Sequence, residues 1–203
     1  VTERPAYIAF EGAEGCGKST QAARLAAAID AVLTRETGGT AIGARLRALL
    51  HDTTVRDLHP RAEALITAAD RAQHITEVVA PALDAGRTVV SDRSVYSTLA
   101  YQGYGRQLDI DEIRHINQWS IGGVWPTTVV FLDTPDDVIA ERMSRRDLDR
   151  FEAAGDEFHA RVLAGFRSMA AEDPDHWITV QAVGSVDRVA ADIRRALAER
   201  GVA

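Results

Sequence analysis

Three glycines, a lysine and two hydroxyls crowd into the stretch Gly12-Ala13-Glu14-Gly15-Cys16-Gly17-Lys18-Ser19-Thr20. The spacing G-x-x-x-x-G-K-S lets backbone N–H groups curl round the phosphates of a nucleotide, with Lys18 reaching the β/γ oxygens and the Ser19 hydroxyl turned to Mg²⁺. A second group is Asp92-Arg93, which ends a β-branched run at 88–91. An acid at the C-terminal end of a strand, in a chain with a phosphate loop, acts on Mg²⁺ directly or through water, and the arginine beside it suits a phosphate. The plain alternative for Arg93 is a surface ion pair. A third group is the run 142–150, which holds Arg142, Arg145, Arg146 and Arg150. Such a run is ordinarily a solvated helix face. Beside a phosphate loop it reads as an arginine-bearing lid over about 142–155, which brings charge to a phosphoryl group in transit and excludes water. Cys16, the one cysteine of the chain, is read as a small residue filling the loop rather than as an activated thiol.

These groups need a scaffold. Residues 6–10 read as a short buried strand and 21–29 as a helix, so the loop delivers phosphates to a helix N-terminus, where orphan N–H groups and the dipole favour anions. A second strand, 31–35, runs into the polar, glycine-rich 34–40; in open α/β sheets ligands bind off that edge. Ile42, Leu46, Leu49 and Leu50 predict a helix carrying Arg45 and Arg47. Residues 62–83 predict a long helical stretch interrupted at Pro81, with Asp70, Arg71 and Gln73 on it. After the strand at 88–91, residues 95–101 read as a helix broken by Gly103 and Gly105. Ile110, Ile113, Ile116 and Trp119 form the stripe of another helix, ended by Gly122-Gly123. A strand at 128–133, a helix opened by Pro135, a helix with Phe158, Val162 and Phe166, and a strand at 177–180 follow. The last helix turns Val186, Val189, Ile193 and Leu197 inward. This alternation predicts an α/β chain, a three-layer α/β/α architecture on a five-stranded parallel sheet, as one domain over 1–203.

Bulk properties narrow the partners. With 203 residues and 46% hydrophobic content the chain suits a globular domain with a substantial core. A formal charge of −7 gives no basic field for polymeric nucleic acid. No apolar stretch is long enough to span a bilayer and no signal-peptide pattern opens the sequence, so the expectation is a cytoplasmic chain without a membrane partner. A single cysteine excludes an internal disulfide, and the six histidines show no metal-ligand spacing.

With the phosphate loop, residues 34–40, Asp92-Arg93 with 97–102, and the arginine run in order over nearly the whole chain, the sequence resembles the bacterial thymidylate kinases among the nucleoside-monophosphate kinases. The resemblance implies the P-loop NTPase fold, Mg²⁺-dependent transfer of the γ-phosphoryl group of ATP to dTMP, and a homodimer with an arginine-rich lid. Gly15 within the loop and arginines in the lid match the bacterial kind, since the transferring charge must be stabilised from somewhere. The resemblance casts Lys18, Asp92, Arg93, Arg145 and Arg146 as catalytic, with Ser19 and Asp92 holding the metal. Gly12 to Thr20 with Arg142, Gln181 and Ala182 fall on the ATP side. On the acceptor side, Glu14 faces sugar and phosphate, Arg45 is a phosphate contact, Arg71 with Asp70 before it reaches the thymine edge, and Arg93 clamps the phosphate. Ser97, Thr98, Tyr101 and Gln102 complete that side. Three departures touch the acceptor pocket: Thr67 stands where the family has an aromatic residue stacked on thymine, Ser94 where an aromatic or histidine follows Asp-Arg, and Thr37 where a proline follows Arg35-Glu36. A lost base stack is worth roughly 1–3 kcal/mol. Two other readings compete: a paralogous kinase for a different or modified monophosphate, motivated by Thr67 and Ser94, and a non-catalytic nucleotide-binding regulator, which has no use for the phosphate-handling residues.

Overall fold

The computed structural model describes residues 5–143 and 150–202. Five strands, β1 (Tyr7–Glu11), β2 (Val32–Arg35), β3 (Val89–Asp92), β4 (Thr128–Asp133) and β5 (Trp177–Gln181), form one parallel sheet in the order β2-β3-β1-β4-β5. The expected five-stranded parallel sheet is the one observed. Ile8 pairs with Val90 on one side and Thr128 on the other, so β1 lies at the centre. A central parallel strand is covered on both faces and reads as a continuous apolar run, as Tyr-Ile-Ala-Phe does here.

Strand alternation sorts those residues between two helical layers. Ile8, Phe10, Val90, Val130 and Leu132 face α1 (Lys18–Ala28) and α9 (Val186–Glu199), packing with Leu25, Ile193 and Leu197. Val129 and Phe131 face the other way into a core with Leu99, Tyr101, Phe158, Val162, Phe166 and Trp177. Tyr7 and Val89 extend that second face toward Ile75, Val79 and Ile121. The remaining helices are α2 (Ala41–His51), α3 (Pro60–His74), α4 (Ala80–Asp84), α5 (Val95–Thr98), α6 (Ile110–Ile121), α7 (Asp136–Met143) and α8 (Asp156–Glu172).

Several expectations need correction. Pro81 does not end the helical run: α3 passes through a π-helical stretch, Ile75–Val79, into α4, and Pro81 stands near the start of α4, just past that stretch. Gly103 and Gly105 do not break the helix after Asp92-Arg93. They lie inside a second π-helical stretch, Leu99–Gly105, because neighbours need their missing side chains. A Cβ on Gly103 would come within 2.5 Å of Ile110, and one on Gly105 within 2.6 Å of Phe158. The stripe on α6 splits, with Ile113 buried and Trp119 85% exposed, since the inward face runs through Ile113, Asn117, Ser120 and Ile121. On α9, Val186 at the first turn is exposed while Val189, Ile193 and Leu197 are buried.

Candidate active site

Gly12 must be a glycine: at φ +145° a Cβ would sit 2.8 Å from both Leu132 O and Cys16 Sγ. The loop it opens ends at Gly17, left-handed at φ +99°, from which α1 departs with Lys18 at its first position. Lys18 is almost fully buried and donates from Nζ to Gly12 O at 3.1 Å and Ala13 O at 2.7 Å, which keeps its charge at the rim of the amide cradle. Cys16 is buried with its sulfur 3.5 Å from that nitrogen, filling the loop's interior in accord with its reading as a small residue.

Asp92 ends β3 beside this cradle. Ser19 donates its hydroxyl to Asp92 Oδ2 at 2.5 Å, while Oδ1 is buried with no hydrogen-bond partner. One hydroxyl, one carboxylate and an orphaned carboxylate oxygen next to a phosphate cradle are hard oxygen donors of the kind Mg²⁺ takes when it completes its shell with phosphates and water. The residues present therefore fit the metal.

Arg93 follows in the left-handed region at φ +74°, held by its N–H to Phe10 O at 2.9 Å and by the Ser91 hydroxyl on its carbonyl at 2.7 Å. Its guanidinium donates to Ser97 Oγ at 3.0 Å, Tyr101 Oη at 3.0 Å, Gly12 O at 3.4 Å and Glu14 Oε1. The ring of Tyr101 lies 4.9 Å beneath it, and the Tyr101 hydroxyl donates to Glu14 at 3.1 Å. Behind this cluster, the fully buried Glu11 accepts from the backbone N–H and hydroxyl of Ser94 and from those of Ser97, all within 2.6–3.2 Å. Burial pushes its carboxyl above the usual glutamate range, with Arg93 and the two serines opposing. Ser94 is spent on capping α5 and anchoring to Glu11.

Arg71 of α3 is fully buried and committed on every side. Nε donates to Glu36 at 2.8 Å, Nη2 to Thr98 Oγ1 at 2.9 Å and Ser94 O at 3.3 Å, and Nη1 to Asn117 Oδ1. Glu36 also meets His74 Nδ1 at 2.9 Å, and Thr34 Oγ1 lies 2.6 Å from His74 Nε2. Burial works against the charge on Glu36, but Arg71 and His74 outweigh it and hold the carboxyl below its usual range.

A cavity of about 470 Å³ joins these groups. Glu14, Gly15, Gly17, Lys18, Ser19 and Thr20 line one end; Asp92, Arg93 and Ser97 lie between; Thr67, Arg71, Thr98, Tyr101 and Gln102 line the other. Thr67 donates its hydroxyl to Ala64 O, so the wall where a stacking ring was missed is a threonine pair with Thr98, whereas aromatic surface enters from Tyr101, His51 and Phe151.

The structure does not bring every expected residue there. Arg45 is exposed on the outer side of α2; Arg47, two positions and about 200° further round the helix, lines the cavity and donates to Thr37 O at 3.2 Å. Asp70 does not line it either: its carboxylate turns to the backbone N–H of Gly38 at 3.0 Å and braces the 34–40 loop. Arg142 lies on the far side of the phosphate loop, bonded to the carbonyls of Gly15, Cys16 and Ala182 at 3.1–3.3 Å, which joins three elements of the expected ATP side. Gln181, next to Ala182, donates to Asp133 at 3.2 Å. Arg145 and Arg146 lie outside the described residues. Reading the sequence assigned no role to Glu11, Glu36 and His51, and it placed Phe151 and Glu152 only within the lid range 142–155. Glu36 had a signal in its place beside Arg35 in the polar segment 34–40; Glu11 and His51 had none.

Comparison with known proteins comes to the same place. The family model described as thymidylate kinase matches residues 10–193. A thymidylate kinase of Desulfovibrio desulfuricans is 43% identical over 94% of each chain. One from a Synechococcus strain is 46% identical over 91% of this chain and 90% of its own. The crystal structure of thymidylate kinase from Ehrlichia chaffeensis superposes with a TM-score of 0.79 at 29% identity, covering 95% of this chain and 98% of that one.

Proposed function

The chain belongs to the thymidylate kinase family, and on that premise we propose how its cleft passes the γ-phosphoryl group of ATP to dTMP, giving dTDP and ADP. The loop from Gly12 to Thr20 wraps the triphosphate, its amides and the α1 N-terminus facing the anion, and Lys18 exchanges loop carbonyls for β/γ oxygens. Arg142 and the Gln181-Ala182 turn hold the adenine side. Arg93 clamps the acceptor phosphate, with Glu14 and the Tyr101 hydroxyl fixing its fork and bordering the sugar. Thr67, Arg71, Thr98 and Gln102 surround the base, and Arg47 takes the place first given to Arg45. Ser19 and Asp92 would hold Mg²⁺, which would supply positive charge against the phosphates during transfer. Arg145 and Arg146 are the lid's charge donors.

No strong general base is required, because an ionised phosphate is already a nucleophile. Catalysis then rests on alignment and on fixed positive charge that needs no reorganisation during transfer. The observation that carries the reading is that Lys18, Asp92 and Arg93 face one cavity together with Arg71 and Gln102. Lys18→Ala should lower kcat by about a thousandfold while circular dichroism and Tm stay close to the parent's. An ADP-release assay over a panel of nucleoside monophosphates should give dTMP the highest kcat/KM. A fully active Lys18→Ala enzyme, or a better substrate elsewhere in the panel, overturns the scheme.

The same reading includes a homodimer. Ile42 and Leu49 on α2, Leu65 on α3 and Trp119 on α6 are all exposed, and α3 packs against both α2 and α6. Ile66, the neighbour of Leu65 on α3, is half-buried against the core and takes no part in this face.

A further inference from the structure

Glu63, in the first turn of α3, has no part in the chemistry above, yet it is fully buried and meets three side chains, two as hydrogen-bond donors and one as an ion pair. Its Oε1 accepts from Gln102 Nε2 at 2.8 Å and Arg106 Nε at 3.2 Å. Its Oε2 accepts from Arg106 Nη2 at 3.2 Å and lies 2.7 Å from Nη2 of Arg150. Arg150 also donates to Leu50 O at 2.7 Å and covers the ring of Phe151 at 4.7 Å, where the chain re-enters the cavity wall.

We propose that Glu63 is a positioning residue for the acceptor base, which it serves by fixing which end of the Gln102 amide faces the cavity. The inference rests on the reading of Gln102 as part of the base-side wall. A carboxylate can only accept, so it selects the NH₂ end of Gln102; the reverse orientation would set two oxygens against each other in a buried site. With Nε2 committed, Gln102 offers the cavity its carbonyl oxygen, an acceptor. The thymine ring of dTMP has one N–H, at N3, to match it. The same carboxylate balances Arg106 and Arg150 and so holds Phe151 and Glu152 against the opposite side of the cavity. Sequence alone hid this, because Arg150 looked like one more lid arginine.

The test compares dTMP with N3-methyl-dTMP, which lacks the donor. The parent enzyme should prefer dTMP by about a hundredfold in kcat/KM, as expected when one buried acceptor is left without its partner. In Glu63→Gln the partner can donate as well as accept, Gln102 is free to turn over, and the preference should fall about tenfold with KM for ATP within about twofold. Gln102→Ala should lower it by the same factor, and the double variant should add nothing. A Glu63→Gln enzyme that keeps the parent's preference overturns the proposal, whatever happens to its Tm. If Gln102→Ala erases the preference in that case, only the role of Glu63 falls; if neither substitution moves it, the base-side reading of Gln102 falls too. Should Glu63→Gln fail to fold, Glu63→Asp keeps the charge but is one methylene too short to reach both Gln102 and Arg150. It should lower the same ratio by about threefold or more, and an unchanged ratio is equally fatal.

Discussion

Arg93 occupies a left-handed backbone conformation at φ +74° that costs a side-chain-bearing residue roughly 1–3 kcal/mol. Phe10 O, the Ser91 hydroxyl and the grip of Glu11 on residues 94 and 97 impose it, and the result is a guanidinium aimed at one spot between the phosphate loop and Tyr101. Arg93→Lys keeps a charge but loses the fork. It should lower kcat/KM for dTMP by about a hundredfold and leave KM for ATP within about twofold; a defect confined to ATP would move Arg93 to the donor side. Glu36 allows a prediction in pH. Its folded-state carboxyl is held below the unfolded value of about 4.3, so its stabilisation is fully present above about pH 5 and is lost as pH falls through the folded value. Glu36→Gln strands Arg71 without its buried partner and should cost about 3 kcal/mol at neutral pH. Its urea-denaturation stability should then vary less than the parent's between about pH 5 and 3, and parallel profiles would show that another group sets the acid sensitivity. Lys18, Ser19 and Asp92 could be read from the sequence because their roles follow from neighbours in the chain. Glu11, Glu36 and Glu63 could not: a glutamate belongs in water by default, and what buries each of these is a set of donors supplied by other elements.

At the scale of elements, periodicity identifies helices without fixing their phase toward the cleft. Arg45 and Arg47 share α2, and only packing against α3 decides which of them reaches the cavity. Glycine is ambiguous in the same way, since Gly103 and Gly105 look like breakers when isolated but are sites of close approach in the fold. The π-helical stretch Leu99–Gly105 carries Tyr101 and Gln102 to the cavity while its glycines admit Ile110 and the Phe158–Val162 edge of α8. Gly105→Ala would set a methyl 2.6 Å from Phe158 Cε2 and 2.8 Å from Val162 Cγ2, ring and branched carbons that are themselves buried. Overpacking of this kind costs about 1–3 kcal/mol, to be read as a lower Tm by calorimetry. Because Phe158 meets Tyr101 edge-on at 6.0 Å, KM for dTMP should rise as well. An alanine variant as stable as the parent would mean that α8 can retreat at no cost, and that the glycine is not what sets the spacing.

For the whole molecule, the sheet was legible because strands buried on both faces appear as unbroken apolar runs, but the lateral order β2-β3-β1-β4-β5 was not. That order places the phosphate loop and Asp92-Arg93 on adjacent strands and so creates the cleft. Helices α2 and α3, which wall the acceptor end, and α6, which packs against α3, turn Ile42, Leu49, Leu65 and Trp119 to solvent. A second copy covering α2, α3 and α6 would remove that surface and brace the helices that carry Arg47 and Arg71. Sedimentation velocity of the parent should give a dimer at micromolar concentration, and its Tm should rise with protein concentration by mass action. Leu65→Asp combined with Trp119→Asp changes two side chains that are 55% and 85% exposed, so the folded core should survive while the species becomes monomeric and its Tm independent of concentration. Reduced turnover in that monomer would follow from looser α2 and α3. A parent that sediments as a monomer across the accessible range would leave this apolar face without the partner argued for it.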